Sequence, residues 1–433
     1  MNNVPLKSHP LRIYTVNTNY FTYTLRILSV MTILFSLPLK AVDFTYSGYL
    51  KSYALAQDEI QLNNSPSELA SQLDDNFQSQ NAARYMVRGF TESSGNFEMH
   101  YEIQPLYKST TISTNNSGAI SSTVSTGSTI YRYKDLDVEL STHGDKIIVL
   151  QNLDRLNYQY STQKADLTLG RQVISFGSAR FINPTDIFIP FNIQTLNQEY
   201  RVGIDALRYQ ASLGDFSIID TGVIIGEDAN SENNAAFLRA KKSSLGNDIE
   251  GMYIQLKDIK ILGGGIETSI GDYGFWFETA FADLQGSIAD DYIRTSFGSD
   301  YAINESIIIS LEYHYNGAGS KNTDDYTSLL NTIPYEKLGV YLLGEQYLIP
   351  ALSWTATPLV TVNTSGFFNL SDQSVFLNIS SEISWSDNLY SDFGMYLSYG
   401  DNLTYQPTSQ VISFGSEFGS YPLSLYASLK YYF

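Results

Sequence analysis

Four histidines, an absence of cysteine and a set of charges around one apolar loop are what this chain offers for chemistry. His9 lies near the N-terminus, His100 and His314 fall within alternating stretches, and His143 sits in Ser-Thr-His-Gly-Asp, residues 141–145. A Ser–His hydrolase needs a base within reach of an activated nucleophile, and no nucleophile-elbow motif accompanies any of these histidines. No His-Glu-x-x-His helix and no phosphate-cradling glycine loop is present. Without cysteine there is no thiol nucleophile, no Cys-ligated zinc and no disulfide frame. His100 and His314 would have to meet across an interior to share a metal. The expectation is therefore no enzyme, no cofactor and no metal site. What remains is charge, gathered at Arg171, Arg180, Asp186, Glu199, Arg201, Asp205 and Arg208.

Those charges surround a loop, 176–203, with an unusual content. It carries Phe176, Phe181, Ile182, Ile187, Phe188, Ile189 and Phe191, and Pro184 and Pro190 stiffen it. Apolar loop residues need burial. Opposed charges at a narrow waist would set a transverse field that sorts solutes. The same charges would equally serve as ion pairs that pin the loop, and the sequence leaves both roles open.

The elements that position this loop are strands. Leu423, Leu425, Ala427, Leu429, Tyr431 and Phe433 alternate with Ser424, Tyr426, Ser428, Lys430 and Tyr432, giving one apolar face and one mostly polar face. Phe97, Met99, Tyr101 and Ile103 alternate with Glu98, His100, Glu102 and Gln104. Ile307, Ile309, Leu311 and Tyr313 alternate with Ser310, Glu312, His314 and Asn316, and Ile379 and Ile383 with Glu382 and its polar neighbours. Weaker copies include the stretch that holds Glu278. Short turns near 93–96, 213–215 and 386–388 alternate with long polar loops near 56–80, 108–130, 227–247, 317–336 and 400–418. Short turns at one end and long loops at the other are the layout of an outer-membrane barrel. In lipid no sheet edge survives unpaired, so the sheet must close.

The expected fold is thus all-β: a transmembrane, antiparallel, up-and-down barrel of about 16 strands, within 14–18, with the 176–203 loop folded inward. Poor alternation around 131–152, 234–262 and 340–370 limits the count. Gly263-Gly264-Gly265 reads as strand flexibility or a bulge. Glu98, His100, Glu102, Glu278, Glu312, His314 and Glu382 would line the lumen, where an acid excess favours cations or neutral sugars. A solvated wall is the plainer role for any one of them. Loop acids such as Asp58, Glu59, Asp74, Asp75, Asp324 and Asp325 would either bridge divalent cations to lipopolysaccharide or keep the loops soluble.

Composition agrees. Of 433 residues, 43% are hydrophobic and 16% charged, with 33 Tyr and 23 Phe. The net charge of −19 excludes nucleic-acid binding through a basic surface. A mean hydropathy of −0.15 is too polar for a bundle of membrane helices. Residues 1–41 read as a targeting segment: Lys7, Arg12 and Arg26 precede an apolar core at 27–39, and no acid appears before Asp43. Cleavage after Ala41 would leave 42–433 as a single barrel domain; an N-terminal anchor helix is the alternative.

One segment resembles a known family. Leu-Asp-Arg-Leu-Asn-Tyr at 153–158, Gly-Arg-Gln at 170–172, Asn-Pro-Thr-Asp at 183–186 and Glu-Tyr-Arg-Val-Gly-Ile-Asp at 199–205 resemble porin-like outer-membrane proteins of Gram-negative bacteria. Ser-Glu-Phe-Gly-Ser-Tyr-Pro at 416–422, with the strand that follows, resembles the same group. Alginate-export and substrate-selective porins share that general build. The resemblance implies an outer-membrane channel for small hydrophilic solutes, and it leaves a homotrimer open. Tyr431 and Phe433 match the terminal strand by which the outer-membrane assembly machinery recognises its barrels. A polysaccharide-export barrel, and a closed barrel acting as an adhesin or structural protein, are the alternatives.

Overall fold

The computed structural model describes residues 42–433 apart from 67–72, 74–75, 92–93, 110–128, 135–140, 144–145, 189–192, 194–195, 197–198 and 286–289. The expected targeting segment, Asp74, Asp75, Ile189, Pro190, Phe191 and most of the 108–130 loop lie outside the described residues.

Eighteen antiparallel strands form one closed sheet. In chain order they are β1 (Val42–Gln57), β2 (Asn76–Thr91), β3 (Gly95–Lys108), β4 (Ile147–Ser161), β5 (Ala165–Gln172) and β6 (Ile204–Ser212). Then come β7 (Ser217–Ile224), β8 (Ala235–Ser244), β9 (Asn247–Leu256), β10 (Ile259–Ile270), β11 (Tyr273–Asp283) and β12 (Tyr292–Asn304). The rest are β13 (Ile307–Asn316), β14 (Gln346–Thr357), β15 (Val360–Asn369), β16 (Val375–Ser386), β17 (Leu389–Tyr399) and β18 (Ser424–Tyr432). Each strand pairs with its neighbours in sequence, and β1 pairs with both β2 and β18, which closes the cylinder. A three-residue strand, Ser141–His143, adds to one end of β4.

The apolar faces expected to point outward do so. Ile309, Leu311, Leu425, Leu429 and Tyr431 are exposed on the outside, while Glu312, His314 and Ser428 are buried inside. Among the described residues no helix is long and apolar enough to cross a membrane. The outer belt of the barrel is the surface that a bilayer would cover.

Eighteen stands at the top of the expected range because the 227–247 segment is not one loop. A short connection ends at Asn234, and 235–244 is β8, joined to β9 by a two-residue turn. Its alternation was obscured because both faces are apolar. Ala236 and Leu238 point outward, whereas Ala235 and Phe237 are buried inside. The same holds for β9, where Ile249 and Tyr253 face out and Met252, Ile254 and Leu256 face in. An inside face is apolar only where protein rather than water covers it, and the covering protein is the 173–203 loop.

Candidate functional site: the inward-folded loop and its wall

Between β5 and β6 the chain turns into the barrel. Phe176, Ile187 and Phe188 are buried in one cluster with Phe237, Met252, Ile254, Leu256 and Ile261 from the wall. The rings of Phe176 and Phe237 meet edge to face at 5.2 Å. Each large apolar side chain buried in this way contributes about 1.5–3 kcal/mol to docking. Gly177 has φ +104° and packs against Asn183, closing a tight bend that an L side chain would strain.

At that bend the loop donates its backbone to the wall. Glu278 on β11 accepts from the N–H groups of Ser178 (2.8 Å), Ala179 (3.0 Å) and Thr185 (2.9 Å) and from the Thr185 hydroxyl (2.6 Å). Glu312 on β13 accepts from the N–H groups of Arg180 (3.1 Å), Phe181 (3.2 Å) and Ile182 (2.9 Å), and from the Trp276 indole (2.8 Å). Both carboxyl side chains are fully buried. Ser296 on β12 donates its hydroxyl proton to the Ile182 carbonyl at 2.6 Å. With its proton so used, the Ser296 hydroxyl oxygen accepts from His314 Nδ1, 2.8 Å away, in the neutral ring.

Gly263 and Gly265 on β10 explain how close the loop comes. A Cβ on Gly263 would lie 2.6 Å from Thr185 Cγ2, and one on Gly265 would lie 3.0 Å from Ser178 Oγ. These glycines are a flat seat for the loop, which replaces the expected reading of flexibility or a bulge.

The charges singled out from sequence do not form one cluster. Arg171 and Asp205 pair across β5 and β6 with two bonds of 2.9 and 2.8 Å, and Arg208 and Asp220 pair across β6 and β7 at 2.8 and 2.6 Å. Within the loop, Arg201 pairs with Asp186. Glu199 and Arg180 are the most open of the seven, their side chains 38% and 43% exposed, and Arg180 reaches Glu267 and lies 3.6 Å from Asp300. Its guanidinium stacks 5.3 Å from the Trp276 ring.

The returning leg, 199–203, crosses to the opposite wall. Glu199 pairs with Lys51 and accepts from the Tyr432 hydroxyl at 2.7 Å. The Arg84 guanidinium lies 4.7 Å over the Tyr200 ring. Arg84 also binds Glu102 at 2.7 Å and pairs with Asp154, forming a buried network with Arg132. A register shift in β4 leaves Asp154 unpaired in the ladder, so Asp154 and Arg155 are both buried on the inside. His100 Nε2 sits 3.1 Å from Glu98, which also pairs with Arg88, while Glu382 lies 3.5 Å from Lys430. His100 and His314 therefore occupy different walls, and among the described residues no cluster of His and acids has the makings of a metal site.

Several residues here were not foreseen. Lys51, Arg84 and Arg88 sit on the polar faces of β1 and β2, where alternation marks them; Asp154 is hidden by its bulge. Two further loops also pack inward. Leu338, Val340, Leu342 and Leu343 of the 317–345 connection are buried, as are Phe414, Glu417 and Phe418 of 400–423. Glu417 accepts from the Leu343 N–H (3.0 Å) and the Asn369 amide (2.8 Å), and from the Tyr347 hydroxyl. Burial pushes its carboxyl up to about 7.

No protein-family model matches the chain, and no curated protein matches it. Its shape is another matter. Acinetobacter baumannii OccAB4 superposes with a TM-score of 0.54 over 92% of this chain and 100% of its own, at 9% identity. The fold is that of a porin. Pseudomonas aeruginosa OccK8 (OprE) gives 0.53 over 90% of this chain and 98% of its own at 12% identity. Pseudomonas aeruginosa OpdK, solved with vanillate, gives 0.52 over 90% and 98% at 8% identity.

Proposed function

We propose that this porin-fold chain is an outer-membrane channel for small hydrophilic solutes, with the 173–203 loop narrowing its lumen. The observation that carries the reading is the loop itself: it crosses a closed barrel, apolar outside and partly charged, partly apolar inside, and docks on two opposite walls. Such a partition serves transport, since an adhesin needs only its outer loops. Arg180, Glu267 and Asp300 on one side and Glu199 and Arg88 on the other are the charges a passing solute would meet. Because OpdK was solved with vanillate, an aromatic carboxylate, small aromatic acids belong in the first solute panel beside sugars and amino acids. Catalysis forms no part of the reading. Lipopolysaccharide around the barrel, trimer formation and recognition of Tyr431 and Phe433 by the assembly machinery are further expectations of it.

Purified protein in planar bilayers tests the reading. Stepwise conductance with a reversal potential that moves with the salt gradient is expected. Liposome swelling then ranks the solutes. A closed barrel with its function in the outer loops is the second reading, and the three inward-packed loops favour it. Absence of conductance over several refolding conditions would decide for that reading and against the channel.

A further inference from the structure

Five consecutive backbone N–H groups, Ser178 to Ile182, all point at two wall carboxylates. Loops ordinarily satisfy such donors internally or with water. Here, successive N–H groups form an anion-binding concavity, and the barrel supplies the anions from its own wall. Neither Glu278 nor Glu312 has an ion-pair partner among the described residues. Their charge is held by N–H dipoles, the Thr185 hydroxyl and the Trp276 indole.

The apolar contacts of Phe176 and Phe188 cannot do the same work. Hydrophobic attraction is non-directional and lets a loop slide over its seat, whereas a buried carboxylate with every partner in place fixes position. Glu312 has a particular reach. It holds the backbone N–H of Arg180 and, through Trp276, the ring beneath the same residue's guanidinium. Arg180 is thereby held from two sides.

We propose that Glu278 and Glu312 are positioning residues that fix the 178–186 segment across the lumen and so set where Arg180 stands in the passage. This rests on the channel reading. Glu→Gln substitution is not silent at either site, because the new amide N–H₂ would face N–H donors.

The test compares wild type, Glu312→Gln, Glu278→Gln, Arg180→Gln and the Glu312→Gln/Arg180→Gln pair in planar bilayers. Glu312→Gln should give a larger, noisier conductance and the same reversal-potential shift as Arg180→Gln, with no further shift in the pair. A purely structural role would lower thermal stability and leave the reversal potential alone. Because the chain has no cysteine, Thr185→Cys and Gly263→Cys can be added to Glu278→Gln as a tether with no competing thiol. Oxidation should return the conductance to the wild-type level, and reduction should release it again. Since oxidised and reduced forms are read in one folded protein, a folding defect in Glu312→Gln leaves the test standing. Wild-type conductance and reversal potential in both Gln variants, or a tether that changes nothing, would overturn the proposal while leaving the channel intact. A wild type that never conducts would strike the channel reading instead.

Discussion

The inside of this barrel has two kinds of wall. From β7 to β11 the inward face is largely apolar, with Ile224, Ala235, Phe237, Met252, Ile254, Leu256, Ile261 and Ala280 packed under the loop as in a soluble core beside the charged Asp220, Glu250 and Glu278. From β1 to β4 it is largely polar: Lys51, Arg84, His100, Glu102, Asp154 and Arg155, set among Tyr49, Tyr53, Leu55 and Met86, are joined by hydrogen bonds and ion pairs and, among the described residues, meet the loop at its returning leg. The difference shows what sets the inward pattern of a barrel strand. Membership of the barrel dictates the outward face alone; the inward face answers to whatever lies opposite it, be it water, a charge network or a folded segment.

If so, the two walls should respond differently to substitution. The largest effect belongs to the apolar side. Phe188→Ala should weaken loop docking by about 3–5 kcal/mol, seen as protease cleavage within 173–203 and a rise in conductance. A loop that stays protected would mean that its ion pairs, not its packing, hold it.

Acidity should act next, and at the long-loop end. Glu417 is buried with its carboxyl pushed up to about 7, so it binds a proton more tightly in place than when its loop is released. Packing of 400–423 should therefore be firmest in acid and weaken as pH rises from the ordinary carboxyl range through 7, by up to about 3 kcal/mol. Hydrogen exchange of that loop measured against pH reads this, and Glu417→Gln should flatten the profile. A pH-independent profile in wild type would show that Glu417 keeps its charge when buried.

The glycine seat sharpens the comparison at smaller scale. Gly263→Ala should cost about 1–3 kcal/mol of loop docking by overpacking, because its Cβ falls 2.6 Å from Thr185 Cγ2. An equivalent change at Gly214, which has nothing within reach, acts only through its positive φ and should leave the loop protected. Equal loop exposure in both variants would remove the seat.

The smallest stability effect is expected at Arg180. Its pairs with Glu267 and Asp300 face open space, and exposed pairs of this kind are worth about 0–1 kcal/mol. Arg180→Gln should leave the melting temperature nearly unchanged while shifting the reversal potential. A large drop in melting temperature would instead make Arg180 a structural pin.

How far the sequence is legible follows the same division. Strands β3, β13, β16 and β18 are plain in it because their outward faces are apolar and exposed and their inward faces are mostly polar. Strands β8 to β10 are not, because Phe237, Ile254 and Ile261 are apolar on the inside for the sake of a loop distant in sequence. The loop's inward course is legible from Phe176, Ile187 and Phe188, which no exposed loop would carry. Its anchors are not: Glu278 and Glu312 read as ordinary wall acids, since nothing local marks a carboxylate whose partners are backbone N–H groups 93 to 132 residues away. The inward packing of 317–345 and 400–423 is equally hidden, for those segments read as polar connections.

The two-residue connection between β9 and β10 carries one more implication. Lys257 and Asp258 are the whole of it, and Lys257 pairs with Glu232 of the neighbouring 225–234 connection, which Lys337 of 317–345 also reaches. The shortest turn of the rim is thereby laced to one of the longest, so loosening 317–345 would be felt at a flank that has almost no chain of its own to give.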